Sequence, residues 1–340
     1  KPTRETHVLR TKLCQLLDIE LPIILAPMGG AVTPALAAAV SNAGGLGNLP
    51  LWTADPDDVV TIVRETRAFT DKPFAVNLNM EFPQEERLSI CLGEGVPVIS
   101  FFWQDPSSLV QKAKDRGAIV MHTVGDAESA RRSVEAGVDV IVAQGWEAGG
   151  HVRGTVASMP LIPKIVDAVG DVPVVAAGGI ADGRGIVAAL ALGASGAWIG
   201  TRFLAAEEIT IHDEYQRHVL SSSETNTVFT EELFNIGWPN APHRVLRNST
   251  VDAWEAAGRP PPGQRPGEDE VVASSPEKGN VVRYSVTTPR EGIIGDVEAL
   301  PMWAGQSVGL VQKVQPAAEI VKELTSEASE AISRLASLDV

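Results

Sequence analysis

Cysteine, positive charge and long apolar runs are all scarce in this chain, and each shortage removes a class of protein. The 340 residues include two cysteines, Cys14 and Cys91, too few for a disulfide framework or a cysteine-rich metal site. Lys plus Arg number 28 against 43 Asp plus Glu, a formal net charge of −15. That balance opposes capture of nucleic acid, which needs clustered cations against phosphates. No apolar stretch reaches the roughly 18 uninterrupted residues of a membrane-spanning helix. The opening stretch, KPTRETHVLRTKLCQLL, carries charge where a secretory signal needs an apolar segment. A cytoplasmic enzyme with no membrane or nucleic-acid partner is the expectation.

What is present is a substantial core. Hydrophobic residues make up 44% of the chain, which excludes global disorder. The length suits two domains or one α/β barrel. Short apolar runs alternate with amphipathic stretches. Eight of them read as strands: Ile23–Ala26, Gly45–Asn48, Phe74–Asn77, Val96–Ile99, Ala118–Met121, Val138–Val142, Val174–Ala176 and Ala197–Gly200. Between them, 34–43 follows Thr33 and 56–68 follows Asp55, each with Pro at the first helical position, and 126–136 closes on Gly137. Eight strand–helix units at this spacing predict a (β/α)8 barrel. The turn after the first strand, Ala26-Pro27-Met28-Gly29-Gly30, lacks the G-x-G-x-x-G of a dinucleotide-binding open sheet. Beyond Arg202 the rhythm changes. Residues 207–220 look helical, 221–304 hold Pro-rich turns, and 316–338 read as a closing amphipathic helix.

In a barrel, chemistry belongs in the segments that follow the strands. The sixth strand is followed by Gln144-Gly-Trp-Glu-Ala-Gly-Gly-His151, where three glycines allow close backbone approach and His151 offers a proton acceptor. The seventh is followed by Ala177-Gly178-Gly179 and on to Gly185, and the eighth by Gly200-Thr201-Arg202. Glycine-bearing turns in these two places, with a helix N-terminus nearby, suit a phosphate.

These segments, together with Trp303-Ala-Gly-Gln-Ser-Val-Gly-Leu310, resemble the FMN-dependent nitronate monooxygenases, and the likeness runs through nearly the whole chain in order. The resemblance implies a TIM barrel with a smaller α-rich subdomain. Its parts would be an FMN-binding barrel over 1–205, an irregular and helical elaboration capping it over 206–304, and a C-terminal segment and helix returning over 305–340. It implies oxidation of alkyl nitronates or nitroalkanes by O2 to carbonyl compounds and nitrite, with His151 as base or substrate-positioning residue. By the same likeness Ala26, Pro27 and Met28 lie along the flavin ring, Asn77 and Gln144 near the flavin and ribityl chain, and Thr123 where some relatives place a Lys. Gly149 approaches the cofactor through its backbone, and Ala177, Gly178, Gly179, Gly200 and Thr201 form the phosphate cradle. No metal is implied, and the assembly is a monomer or homodimer.

The main competing reading is an FMN-dependent NAD(P)H reductase of quinone or enoyl-thioester type on the same barrel; a phosphate-binding barrel without redox turnover is a further one. His212, Asp213 and His218 sit on a polar helix at spacings that do not share a face, so a solvated helix is expected there instead of a metal site. His122 either lines the pocket or closes the barrel's upper layer. Trp52, Trp103 and Trp146 follow strands, and with Tyr284 and Trp303 they are candidates to narrow an apolar pocket or to pack beneath the loops.

Overall fold

The computed structural model describes residues 9–338. Eight strands run parallel: β1 (Ile23–Leu25), β2 (Gly47–Pro50), β3 (Phe74–Asn79), β4 (Val98–Phe102), β5 (Ile119–Val124) and β6 (Val140–Gln144), then, past a two-residue strand β7 (Gly150–His151), β8 (Val174–Ala177) and β9 (Gly196–Ile199). All eight predicted strands are present, with ends displaced by a few residues. They neighbour one another in the order β1-β9-β8-β6-β5-β4-β3-β2. A parallel bridge between Ile24 and Leu46 joins the two ends, and the Leu25 and Leu46 amides donate across it at 2.9 Å. The sheet thus closes into the TIM barrel.

Strand periodicity puts alternate residues inside. Leu46, Ala75, Val98, Met121, Val142 and Val175 pack together as the floor of the barrel, and Leu13 and Leu17 of helix α1 (Lys12–Leu17) plug it from below. The outward alternates meet the surrounding helices α2 (Pro34–Asn42), α3 (Pro56–Phe69), α4 (Glu85–Gly93), α5 (Ser107–Lys114), α6 (Ala127–Glu135), α7 (Ser158–Val169) and α8 (Gly183–Ala191). The Thr33 hydroxyl accepts from Leu36 N–H, and the Asp126 carboxylate accepts from Ser129 N–H, so both helices are capped as their sequences suggest. Asp55 makes no such bond; the acidic first turn of α3, Asp57 and Asp58, meets the helix dipole instead.

Past the barrel, the predicted helix at 207 begins only at Asp213, as α9 (Asp213–Ser221). Before it, a turn at 207–208 lies between two bridges, Ala206 to Gln315 and Ile211 to Arg290, and His212 caps the helix by accepting from Glu214 N–H. Besides α9 and α10 (Ser249–Ala256), the elaboration holds short strands that apolar periodicity did not reveal. Strands β10 (Thr227–Thr230) and β11 (His243–Leu246) form an antiparallel sheet with β7, and β12 (Val271–Ser275), β13 (Gly279–Val282) and β14 (Ile294–Gly295) form another. Each is two to five residues long, and β11 is buried throughout while β14 is exposed throughout, so the alternation that marks a half-buried strand is absent.

The closing helix α11 (Ala317–Ala336) buries Ile320, Val321, Leu324 and Ala328 against the barrel's outer layer. Its contact with α8 is backbone-close: a Cβ on Gly183 would sit 2.1 Å from the Ala328 nitrogen, and Glu327 Oε2 accepts from Gly183 N–H at 2.9 Å. Gly183→Ala should force the two helices apart and cost about 1–3 kcal/mol, read as a lowered urea midpoint with an unchanged slope.

Candidate active site

A cavity of about 480 Å³ opens at the C-terminal ends of the strands, within the size range of small-molecule sites. Of the residues expected there, Ala26, Met28, Gln144, Gly149, His151, Ala177, Gly178, Gly179, Gly200 and Thr201 line it. Pro27, Asn77 and Thr123 do not. Asn77 belongs to a buried polar layer just above the barrel floor, where its amide donates to Ser100 Oγ at 2.8 Å and its Oδ1 has no partner. Thr123 lines a separate pocket of about 50 Å³ with His122, Asp105 and Arg153. His122 is likewise outside the main cavity. Its Nδ1 lies 2.7 Å from Ser133 Oγ of α6, and burial pushes it down to about 4.

The turn that carries His151 is pinned along its length. Gly145 N–H donates to Ala177 O at 2.8 Å. The Gln144 amide is spent on the same turn, donating to His151 O at 3.0 Å and accepting from Arg153 N–H at 2.8 Å. The Glu147 carboxylate accepts from the Ser158 N–H at the start of α7. Gly149 lies so close to the returning chain that a Cβ would meet Gly305 N at 2.3 Å. Gly149, expected to approach the cofactor through its backbone, packs against the returning chain here. Finally β7 pairs with β11, placing His151 opposite His243. Arg244 of that strand is buried over the Trp146 ring at 4.3 Å and donates to Trp146 O at 3.0 Å, so Trp146 packs outside the cavity.

Aromatic rings surround the His151 imidazole. Trp238 stacks on it at 3.8 Å and 29°, Trp303 is tilted against it at 5.2 Å, and Trp103 approaches edge-on at 6.0 Å. Its Nε2 is buried with no hydrogen-bond partner. Burial, and secondarily His243, hold its pKa well below the ordinary 6.5, so the ring is neutral at pH 7 with a lone pair available. His243 is itself held neutral by burial, at about 4.

At the other side of the cavity, Gly178 and Gly179 follow β8 with φ of +90° and +74°, a pair of left-handed positions that glycine adopts without strain. Among the described residues, none accepts a hydrogen bond from their N–H groups or from that of Thr201, which opens the turn after β9. Such convergent free N–H groups suit an anion. The nearby helix α8 does not join them: the Asp182 carboxylate accepts from Gly185 N–H, and Glu327 accepts from Gly183 N–H. With both an apolar ring wall and an N–H cradle in its lining, the cavity fits a flat cofactor bearing a phosphate.

Sequence reading missed Trp238, which lies in the elaboration with no motif around it. It also did not anticipate Lys278 and Arg290 in the cavity lining. Trp52 and Trp303 do line the cavity, whereas Tyr284 is buried beneath Arg265, 4.2 Å from its ring centre. Among the described residues, no cluster of His, Cys, Asp and Glu has the makings of a metal site. Among the described residues, no helix is long and apolar enough to cross a membrane.

A family model described as nitronate monooxygenase matches residues 10–88 and 79–327. The nitronate monooxygenase of Paraburkholderia phytofirmans is 33% identical, with 95% of this chain and 96% of the relative aligned. A Mycobacterium tuberculosis protein, (3aS,4S,5R,7aS)-5-hydroxy-7a-methyl-1-oxo-octahydro-1H-indene-4-carboxyl-CoA dehydrogenase, is 39% identical over 254 residues, 74% of this chain and 70% of the relative. Among solved structures, FabK from Thermotoga maritima superposes with a TM-score of 0.83 at 35% identity, covering 97% of this chain and 99% of that one. The chain belongs to the nitronate monooxygenase family, oxidoreductases that use a flavin on a TIM barrel.

Proposed function

We propose that this chain binds FMN and oxidises alkyl nitronates, and neutral nitroalkanes after deprotonating them, with O2 as co-substrate, yielding carbonyl compounds and nitrite. The observation that carries the reading is the neutral, unpartnered His151 imidazole at the aromatic end of the cavity. FMN supplies the electron acceptor that the protein's own side chains lack. Its phosphate would take the N–H groups of Gly178, Gly179 and Thr201. Its ring would lie against Ala26 and Met28, beside the Gly200 backbone.

His151 Nε2 accepts the α-proton of a nitroalkane, and the C–H electrons pass into the nitro group. The apolar ring wall excludes water, so the proton acceptor is not competed away by hydrogen bonds. A preformed nitronate needs no such step. His151→Asn should therefore lower turnover of a neutral nitroalkane by about 10²–10⁴-fold while sparing its nitronate; equal losses on the two would remove the base role. Because burial lowers the His151 pKa, the base form persists below pH 6.5. Nitroalkane kcat/KM should stay level as pH falls through 6.5 and drop only further down, where the ring protonates.

A second reading, FMN-dependent reductase or dehydrogenase chemistry on a thioester, draws support from the CoA ester for which the mycobacterial relative is named. Lys278 on the cavity lining is suited to an anionic substrate extension, whereas Arg290 beside it is already paired with Glu277. Anaerobic mixing separates the two readings. Under nitronate oxidation, the yellow of the FMN-loaded protein bleaches with alkyl nitronate alone; bleaching by NADH or NADPH but not nitronate would favour the reductase.

A further inference from the structure

The His151 ring is held by side chains that reach it from three separate parts of the chain, and only one of them meets it face to face. Trp103 follows β4 with φ of +82°, a backbone conformation that a bulky residue rarely adopts and that costs free energy. The turn brings its indole edge toward both His151 and Trp238, at 6.0 and 4.9 Å. Trp238 is 6% exposed and stacks on the imidazole at 3.8 Å. It comes from the elaboration, on a turn that Arg265 secures: this buried guanidinium donates to Glu232 O, Leu233 O and Asn235 Oδ1 at 2.8–2.9 Å. His243 anchors the same turn, its Nε2 accepting from Phe234 N–H at 3.2 Å.

We propose that Trp238 is the positioning residue for His151, its indole face fixing the imidazole plane and sealing the ring from water so that proton abstraction takes place in a dry, pre-aligned site. The assignment rests on the reading of His151 as a base. Phe82 and Phe102 pack edge-on against Trp238, at 6.0 and 6.5 Å, so the plate itself is fixed. The titratable and charged groups facing His151 are His243 across the β7–β11 ladder and, behind Trp103, Arg153, 5.6 Å from that ring. Two effects of the indole oppose each other. Its π face favours imidazolium, and its bulk excludes the water that imidazolium needs. Burial is the largest cause holding the His151 pKa down, and exclusion of water is taken as the larger of the two effects.

The test compares Trp238→Ala and Trp238→Phe in the FMN-loaded protein, with nitroethane and ethyl nitronate as substrates. Trp238→Ala should reduce nitroethane kcat/KM by about 10–100-fold and leave the nitronate nearly unaffected. Its acid limb should climb toward the ordinary imidazole value of about 6.5. Trp238→Phe should restore the wild-type profile. An independent readout is the ring carbon signal of ¹³C-labelled His151, identified by its loss in His151→Asn. It should titrate near 6.5 in Trp238→Ala and stay neutral to lower pH in wild type and Trp238→Phe. If Trp238→Ala does not fold, Trp238→Gln, which keeps more of the volume without the ring, takes its place. An unmoved His151 titration, or equal loss on both substrates, overturns the proposal. A His151→Asn protein that still turns over nitroethane overturns the base reading instead, so the two failures are told apart.

Discussion

The backbone of the turn after β6 crosses the returning segment at 304–305 with no room for a side chain, and the cavity is organised around that crossing. A Cβ at Gly149 would lie 2.3 Å from Gly305 N, and one at Gly305 would lie 2.7 Å from Glu147 O. Gln306 N–H donates to Glu147 O at 3.0 Å, and Gly305 N–H donates to the Thr201 hydroxyl at 3.0 Å. One short stretch of chain thereby ties the turn after β6 to the turn after β9. It also sets Trp303 beside His151. Interiors are packed densely enough that such a contact cannot drift by the width of a methyl group, so the distance from the N–H cradle to the imidazole is set by backbone sterics.

Electrostatics in the cavity follow local groups and are not dictated by the net charge of −15. The N–H groups of two left-handed glycines and of Thr201 present partial positive charge at one end, while carboxylates occupy the N-terminus of α8 a few residues away. Around His151, uncharged rings and a neutral His243 keep the wall apolar.

The barrel was legible because its strands are buried on both faces: Ile23–Leu25, Phe74–Asn77 and Val140–Val142 are short apolar runs whatever surrounds them. Helix caps were legible where a short polar side chain meets its own helix, as Thr33 does, and failed at Asp55, where the acidic first turn offers an alternative. Of the site, the glycine-rich turns and His151 could be read from residue type and from position after a strand. Thr123 and Asn77 were placed by likeness, and both are on barrel strands, but one faces a separate pocket and the other a sealed polar layer. The short strands of the elaboration were invisible because none is long enough to establish a period.

The sequence by itself determined the number of barrel strands, the parallel order that follows from strand–helix alternation, and the chemistry available at each turn. These are local properties, set by apolar spacing and by which side chain or missing side chain a residue carries. Tertiary structure decided which groups meet. That Trp238 faces His151, that Gly149 touches Gly305, and that Glu327 caps α8 depend on contacts between residues about 90 to 160 positions apart. No periodicity encodes such pairs, since each arises only when the closed barrel brings the elaboration and the final helix back over its own turns.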